Sequence, residues 1–131
     1  MIQENNARNN MIKSQLLTRH VLKPQVLDAL MSVERELFVP STLRDTAYSD
    51  DEIALGNNRF LMEPLAFARL LEHGNIQPNE TLLDVGSGTG YSAAVLSKLA
   101  QKVMALEEDE ITIQSISLQD KLRRFFECRK K

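Results

Sequence analysis

The sequence predicts an α/β fold in which a helical section leads into the first strands of a doubly wound parallel sheet. Three observations carry this. A strand, glycine loop and helix follow one another over Leu82–Ala100, a second apolar run stands at Val103–Leu106, and the stretch before Thr81 repeats its apolar residues at helical spacing.

Leu82-Leu83-Asp84-Val85 is a short β-type run that enters a loop with glycine at alternate positions, Gly86, Gly88 and Gly90. Tyr91-Ser92-Ala93-Ala94-Val95-Leu96 leaves it as an apolar helix pattern. Glycine serves where the backbone needs positive φ or where a ligand approaches too closely for a Cβ, and a helix start adds unpaired N–H groups. A dinucleotide loop would read G-x-G-x-x-G, which counted from Gly86 puts Tyr91 in the third glycine's place. The pattern is instead acid-x-G-x-G-x-G. Asp84 would repel a pyrophosphate but suits the ammonium of an amino-acid-like ligand. Glu107 stands at the end of the second apolar run, where a ribose-binding acid is expected. A ligand with an amino-acid end, a nucleoside end and no phosphate is S-adenosylmethionine. The predicted cofactor residues are therefore Asp84, Gly86, Gly88, Gly90 and Glu107. The sequence names no catalytic residue and no metal site.

Composition narrows the class. The chain has 131 residues, 43% hydrophobic and 26% charged, enough for one globular core. A net charge of −2 gives no basic field for nucleic acid or anionic membrane. Cys128 is the single cysteine, so no internal disulfide is expected. No leader or membrane-spanning run is visible, and the cytoplasm is the default compartment. Doubly wound sheets usually need five or more strands, yet the first begins only near Thr81. The expected sheet is therefore partial and truncated, with an exposed edge open to self-association.

In chain order, the polar, Asn-rich residues up to Asn10 are expected to fray. Met11, Gln15, Leu16 and Arg19 share one side of a helix running from Ala7 to about His20. Pro24 opens a second helix with Val26, Leu27, Leu30 and Met31 on its apolar face. Val33–Pro40 reads as extended or loop, and Gly56–Glu63 as a loop on the rim of the site with Arg59 and Glu63 as its charges. Pro64 opens a third helix carrying Leu65, Ala68, Leu70 and Leu71, stopped by Gly74. His20 and His73 stand at helix ends, in structural or exposed roles. After Glu110, Ile111, Ile113 and Ile116 look strand-like, while Leu118, Leu122, Phe125 and Phe126 recur at helical spacing. The basic residues Arg123, Arg124, Arg129, Lys130 and Lys131 would complement the end of that helix. The expected division is a helical and loop section over residues 1–80 and the start of the cofactor-binding sheet over 81–131.

On these residues the chain resembles the protein-L-isoaspartate O-methyltransferase family. Met11, Gln15, Leu16 and Arg19 match an M-x-x-x-Q-L-x-x-R signature. Val33, Arg35, Glu36, Phe38, Val39 and Pro40 match V-P-R-E-x-F-V-P, with Glu34 in place of its proline. Ala47, Tyr48 and Asp50 match A-Y-x-D, and the glycine loop with Tyr91, Ala93 and Ala94 matches G-x-G-x-G-Y-x-A-A. The match covers roughly Arg8 to Glu108.

The resemblance implies a class I, Rossmann-like methyltransferase domain that takes S-adenosylmethionine and methylates the carboxylate of L-isoaspartyl residues in damaged proteins. The family's substrate loop reads close to G-x-G-Q-T-I-S-Q-P, and here Phe60 and Met62 occupy its two hydroxyl positions. The alternative is a truncated, non-catalytic remnant or binding module of the same fold. A nicotinamide-dependent oxidoreductase is disfavoured by the glycine spacing and by Asp84.

Overall fold

The computed structural model describes residues 2–109 and 126–130, in two compact units, Met1–Asn75 and Ile76–Lys131.

The first unit is mainly helical. Helix α1, Ile2–Asn10, runs into a wider π-type segment, Met11–Leu16, and a 3-10 turn, Leu17–Arg19. The expected frayed terminus is thus helical, and Arg8 supplies the reason. Its Nε donates to the Tyr48 hydroxyl at 2.9 Å, Nη1 to the Met31 carbonyl at 3.0 Å and Nη2 to Glu36 Oε1 at 3.3 Å. A buried cation that finds three partners pins a segment whose composition alone would leave it loose. Met11, Ile12 and Leu16 are buried, Gln15 Nε2 donates to the Tyr48 carbonyl at 2.7 Å, and His20 closes the helix at φ +64°.

Helix α2, Pro24–Ser32, starts at its proline and buries Val26, Ala29 and Leu30. Its start is held from α3, Pro64–Gly74, where Glu72 Oε1 accepts from the Leu22 and Lys23 N–H groups at 2.7 and 2.8 Å. Those backbone donors, Lys23 first, draw the Glu72 carboxyl below its ordinary value. In α3, Ala68 and Leu71 are buried, but Leu70 is 58% exposed and not part of the apolar face. The left-handed residue that ends the helix is Asn75, at φ +46°, and Gly74 belongs to the last turn.

Two segments between these helices differ from the loops expected of them. Val33–Pro40 holds a 3-10 turn, Arg35–Phe38, and another follows at Ser41–Thr46. Arg35 is fully buried there, its Nε donating to the Ala47 carbonyl at 2.5 Å and Nη2 to the Met62 carbonyl at 2.8 Å. Backbone carbonyls are acceptors, and these two hold the cation in the turn. Gly56–Glu63 is largely a hairpin. Strand β1, Ile53–Gly56, pairs antiparallel with β2, Arg59–Leu61, through a two-residue turn in which Asn57 and Asn58 have φ of +49° and +57°. Positive φ at both central residues matches the right-handed twist of a hairpin, and asparagine tolerates it. Asp50 Oδ1 reaches the Leu65 N–H at 3.3 Å, at the start of α3.

The second unit is a parallel sheet in the order β3, β4, β5, with β3 at Thr81–Val85, β4 at Lys102–Glu107 and β5 at Phe126–Lys130. Its boundary precedes residue 80 because the Glu80 carbonyl accepts from the Gln101 and Lys102 N–H groups at 3.0 and 3.3 Å, tying the turn to the sheet. Thr81–Val85 lies beside Lys102–Leu106 in register, and Val103–Glu107 beside Phe126–Lys130. Helix α4, Tyr91–Leu96, is shorter than the apolar pattern suggests, and turns carry the chain to Ala100. Ala93 of α4 packs on Val103 and Ala105 with Leu82, Leu96 and Ala100 around them. The opposite side of β3 leaves Leu83 58% and Val85 69% exposed.

Ile111, Ile113, Ile116, Leu118, Leu122, Arg123, Arg124, Phe125 and Lys131 lie outside the described residues. Phe126 does not continue a helix: it opens β5, and Arg129 and Lys130 sit in that strand opposite Leu106 and Glu107. A sheet partner for β4 overrides the weak helical spacing at Phe126.

Candidate functional site

The glycine loop lies at the carboxyl ends of β3 and β4, the place where open α/β sheets bind ligands. Gly86, Gly88 and Gly90 have φ of +73°, +58° and +100°. At Gly86 an added Cβ would also meet open space, with no heavy atom within 4 Å. The restriction there is conformational.

Hydrogen bonds give the loop its shape. The Gly86 and Ser87 N–H groups both donate to the Leu106 carbonyl, at 2.7 and 3.2 Å, and Gly90 N–H donates to the Ser87 carbonyl at 3.0 Å. Glu107, 1% exposed, carries Gly88 N–H on Oε2 at 2.8 Å and the Glu108 and Asp109 N–H groups on Oε1 at 2.9 and 3.1 Å. A buried carboxylate is tolerated when charge-assisted hydrogen bonds replace its water, and three backbone donors do so here. Glu107 thereby clamps the middle of the glycine loop to the end of β4, a role its position in the sequence did not disclose.

Asp84 shares a sheet face with Leu82, two residues earlier, and pairs in register with Ala105. It is half-buried, and Ser92, at the start of α4, donates its hydroxyl to Asp84 Oδ2 at 2.6 Å. Burial pushes the Asp84 carboxyl above its ordinary value, the Ser92 hydrogen bond pulls it back, and the Glu107 carboxylate adds to the rise. Ser87 is 5% exposed, and its Oγ has no hydrogen-bond partner among the described residues. Buried hydroxyls are nearly always satisfied, so this one marks a place where a polar group belongs.

The structure therefore gathers Asp84, Gly86, Gly88, Gly90 and Glu107 around one loop and adds Ser87 and Ser92 to them. Nothing in the sequence separates these serines from ordinary loop and helix serines. Arg59 and Glu63 belong to the first unit, in β2 and immediately before α3. Among the described residues no helix is long and apolar enough to cross a membrane.

The sequence model of one family, described as protein-L-isoaspartate(D-aspartate) O-methyltransferase, matches residues 5–124. This chain belongs to the protein-L-isoaspartate O-methyltransferase family. A family member from Synechococcus sp. (strain JA-2-3B'a(2-13)) is 42% identical over 100 residues, covering 76% of this chain and 41% of the relative. Another, from Syntrophobacter fumaroxidans, is 35% identical over 109 residues, covering 83% of this chain and 51% of the relative. The chain thus spans about half the length of these curated relatives.

A solved protein-L-isoaspartate O-methyltransferase superposes with a TM-score of 0.76 at 19% identity, over 94% of this chain and 41% of its own. A Plasmodium falciparum structure, described as a member of the family in complex with S-adenosyl-L-homocysteine, gives a TM-score of 0.75 at 18% identity, over 98% of this chain and 62% of its own. At such identities the likeness carries the fold, and it agrees with the class I methyltransferase architecture expected from the sequence.

Proposed function

We propose that this chain supplies the S-adenosylmethionine-binding part of a protein-L-isoaspartate O-methyltransferase, acting on the carboxylate of L-isoaspartyl residues in damaged cytoplasmic proteins. The observation that carries the reading is the glycine loop clamped on Glu107, with open space at Gly86 and, beside it, a Ser87 hydroxyl that no described residue satisfies. These features fit a ligand that is polar and lies close to backbone.

Asp84 would accept from the ammonium of the ligand's amino-acid end, and Glu107 from its ribose hydroxyls. Bound S-adenosylmethionine supplies an electrophilic methyl group on its sulfonium sulfur. An acceptor carboxylate is already ionised at neutral pH and needs no general base, so the work left to the protein is orientation and exclusion of water.

A second reading, a binding module without turnover, is favoured by the hairpin. Phe60 and Met62, 56% and 42% exposed, stand where the family's loop carries hydroxyls. Apolar groups there offer nothing to replace the water stripped from a carboxylate.

Calorimetric titration with S-adenosylhomocysteine, paired with methyl transfer to an isoaspartyl peptide, tests both. Binding with transfer supports the first reading, and binding without transfer supports the second. An absence of binding overturns both. Asp84→Ala and Glu107→Ala should each cost about 1.5–3 kcal/mol of affinity, the usual worth of a hydrogen bond to a charged group. Unchanged affinity in both variants would remove these residues from the site.

A further inference from the structure

We infer that Ser92 is a positioning residue for the cofactor's amino-acid end, holding the Asp84 carboxylate so that one oxygen faces the ligand's ammonium. The inference rests on the reading of Asp84 given under Proposed function and adds a residue that no part of that reading requires.

A carboxylate on a single Cβ can rotate, and its two oxygens are equivalent until something distinguishes them. Ser92 does so. Its hydroxyl has one proton to give, and that proton is committed to Asp84 Oδ2 at 2.6 Å. Oδ1 receives no hydrogen bond from any described residue, so the acceptor capacity that remains is concentrated on one oxygen. The donor is well placed to hold this geometry. Asp84 sits in β3, in register with Ala105, while Ser92 sits in the first turn of α4, whose Ala93 is packed on Val103 and Ala105. The bond therefore spans the two elements that flank the glycine loop, and neither end can swing without disturbing packed strand or helix.

The electrostatic setting gives the bond a further task. Asp84 is partly withdrawn from water and shares its surroundings with the Glu107 carboxylate, which itself is occupied by the Gly88, Glu108 and Asp109 N–H groups. Two carboxylates close together favour protonation of one of them. An Asp84 that picked up a proton would lose its attraction for an ammonium group. The Ser92 hydroxyl opposes this by donating to the ionised form. In Ser92→Ala, Asp84 would be freer to turn and easier to protonate, and both changes strike the amino-acid end of the ligand alone.

The test compares two ligands in the whole chain. S-adenosylhomocysteine carries the ammonium and carboxylate, whereas 5′-methylthioadenosine has the same nucleoside thioether without the amino-acid end. The ratio of their dissociation constants is measured by titration in the natural chain, Ser92→Ala and Ser92→Thr. Ser92→Ala should weaken S-adenosylhomocysteine about tenfold, the scale of one hydrogen bond to a charged group, and leave 5′-methylthioadenosine unchanged. Ser92→Thr, which keeps the hydroxyl, should restore the natural ratio. An unchanged ratio in Ser92→Ala overturns the inference, whether both ligands bind as before or both are weakened together by a damaged fold. A natural chain that binds neither ligand fails earlier, at the reading of the site itself.

Discussion

Gly88 N–H and Glu107 Oε2 lie 2.8 Å apart, so the midpoint of the glycine loop hangs on the last residue of the neighbouring strand. The shape of the loop therefore depends on a charge buried beneath it.

Replacing that charge tests the clamp. In Glu107→Gln one oxygen becomes an NH2 group that must face a backbone N–H, leaving donor against donor in a buried place. A loss of about 1–3 kcal/mol is expected for the group left unsatisfied. Denaturant melts followed by circular dichroism give the number, and unaltered stability would show that the three N–H groups do not need Glu107.

Asp84 gives a pH prediction with a definite sign. Its folded carboxyl sits above the ordinary value, chiefly through burial and despite Ser92. The folded state therefore holds the proton more tightly than the unfolded state. The group costs nothing below its unfolded pKa and costs stability as pH rises through the folded one. Asp84→Asn should accordingly be more stable than the natural chain at neutral pH, with the advantage fading as pH falls from the raised folded value toward the ordinary carboxylate value and gone below it. Melts of both proteins across that range decide it, and an advantage that grows on acidification would contradict the sign.

In the first unit, Tyr48 links the buried charges. Its hydroxyl accepts from Arg8 Nε at 2.9 Å and from the Arg35 N–H at 3.1 Å, and it donates to Glu36 Oε2. Burial first, and then Glu36, push the tyrosine hydroxyl well above its ordinary pKa. Tyr48→Phe leaves three buried groups short of a partner, and a loss of about 1–3 kcal/mol is expected. A melt within experimental error of the natural chain would mean that water takes the hydroxyl's place.

The hairpin turn is open to a conformational test. Asn57 and Asn58 sit in the left-handed region, which costs an ordinary L-residue about 1–2 kcal/mol. Asn57→Ala should lower the denaturant midpoint, and Asn57→Gly should leave it unchanged or raise it. Equal midpoints for the two variants would refute the turn assignment.

Along β3, Leu83 and Val85 are 58% and 69% exposed on a strand that forms the sheet edge among the described residues. Antiparallel pairing of two copies centred on Leu83 would set Asp84 opposite Leu82, with no like charges directly opposed. Such edges recruit further strands. Sedimentation should show concentration-dependent association that Val85→Lys suppresses, and a monomer at every concentration would exclude this pairing.

The legible parts of the chain were those in which local pattern and final environment agree. Pro24 and Pro64 open helices, Leu82–Val85 and Val103–Leu106 form strands, and the glycine spacing gathers its loop against Glu107. What escaped was decided at long range. Arg8 is helical because of Tyr48 and Glu36, and nothing in an Asn-rich run announces partners 40 and 28 residues away. The β1–β2 hairpin hides behind an Asn-Asn turn that lacks the usual glycine, although its positions alternate between exposed Phe60 and buried Leu61. Ser92 was invisible for the same reason: a hydroxyl eight residues after an acid has meaning only once strand and helix fold back on each other.

The polar cluster around Arg8 bears on the order in which the chain acquires structure. Its partners are Met31, Glu36 and Tyr48, and the link between α2 and α3 is complete by Glu72. During synthesis, amino-terminal units generally fold first, at about 5–20 residues added per second. Every one of these contacts is made by residues that precede the glycine loop in the chain. The first unit can therefore settle its buried charges without waiting for Asp84 and Glu107 to be arranged. A substitution at Tyr48 would then harm the nascent chain, before any question of the cofactor arises.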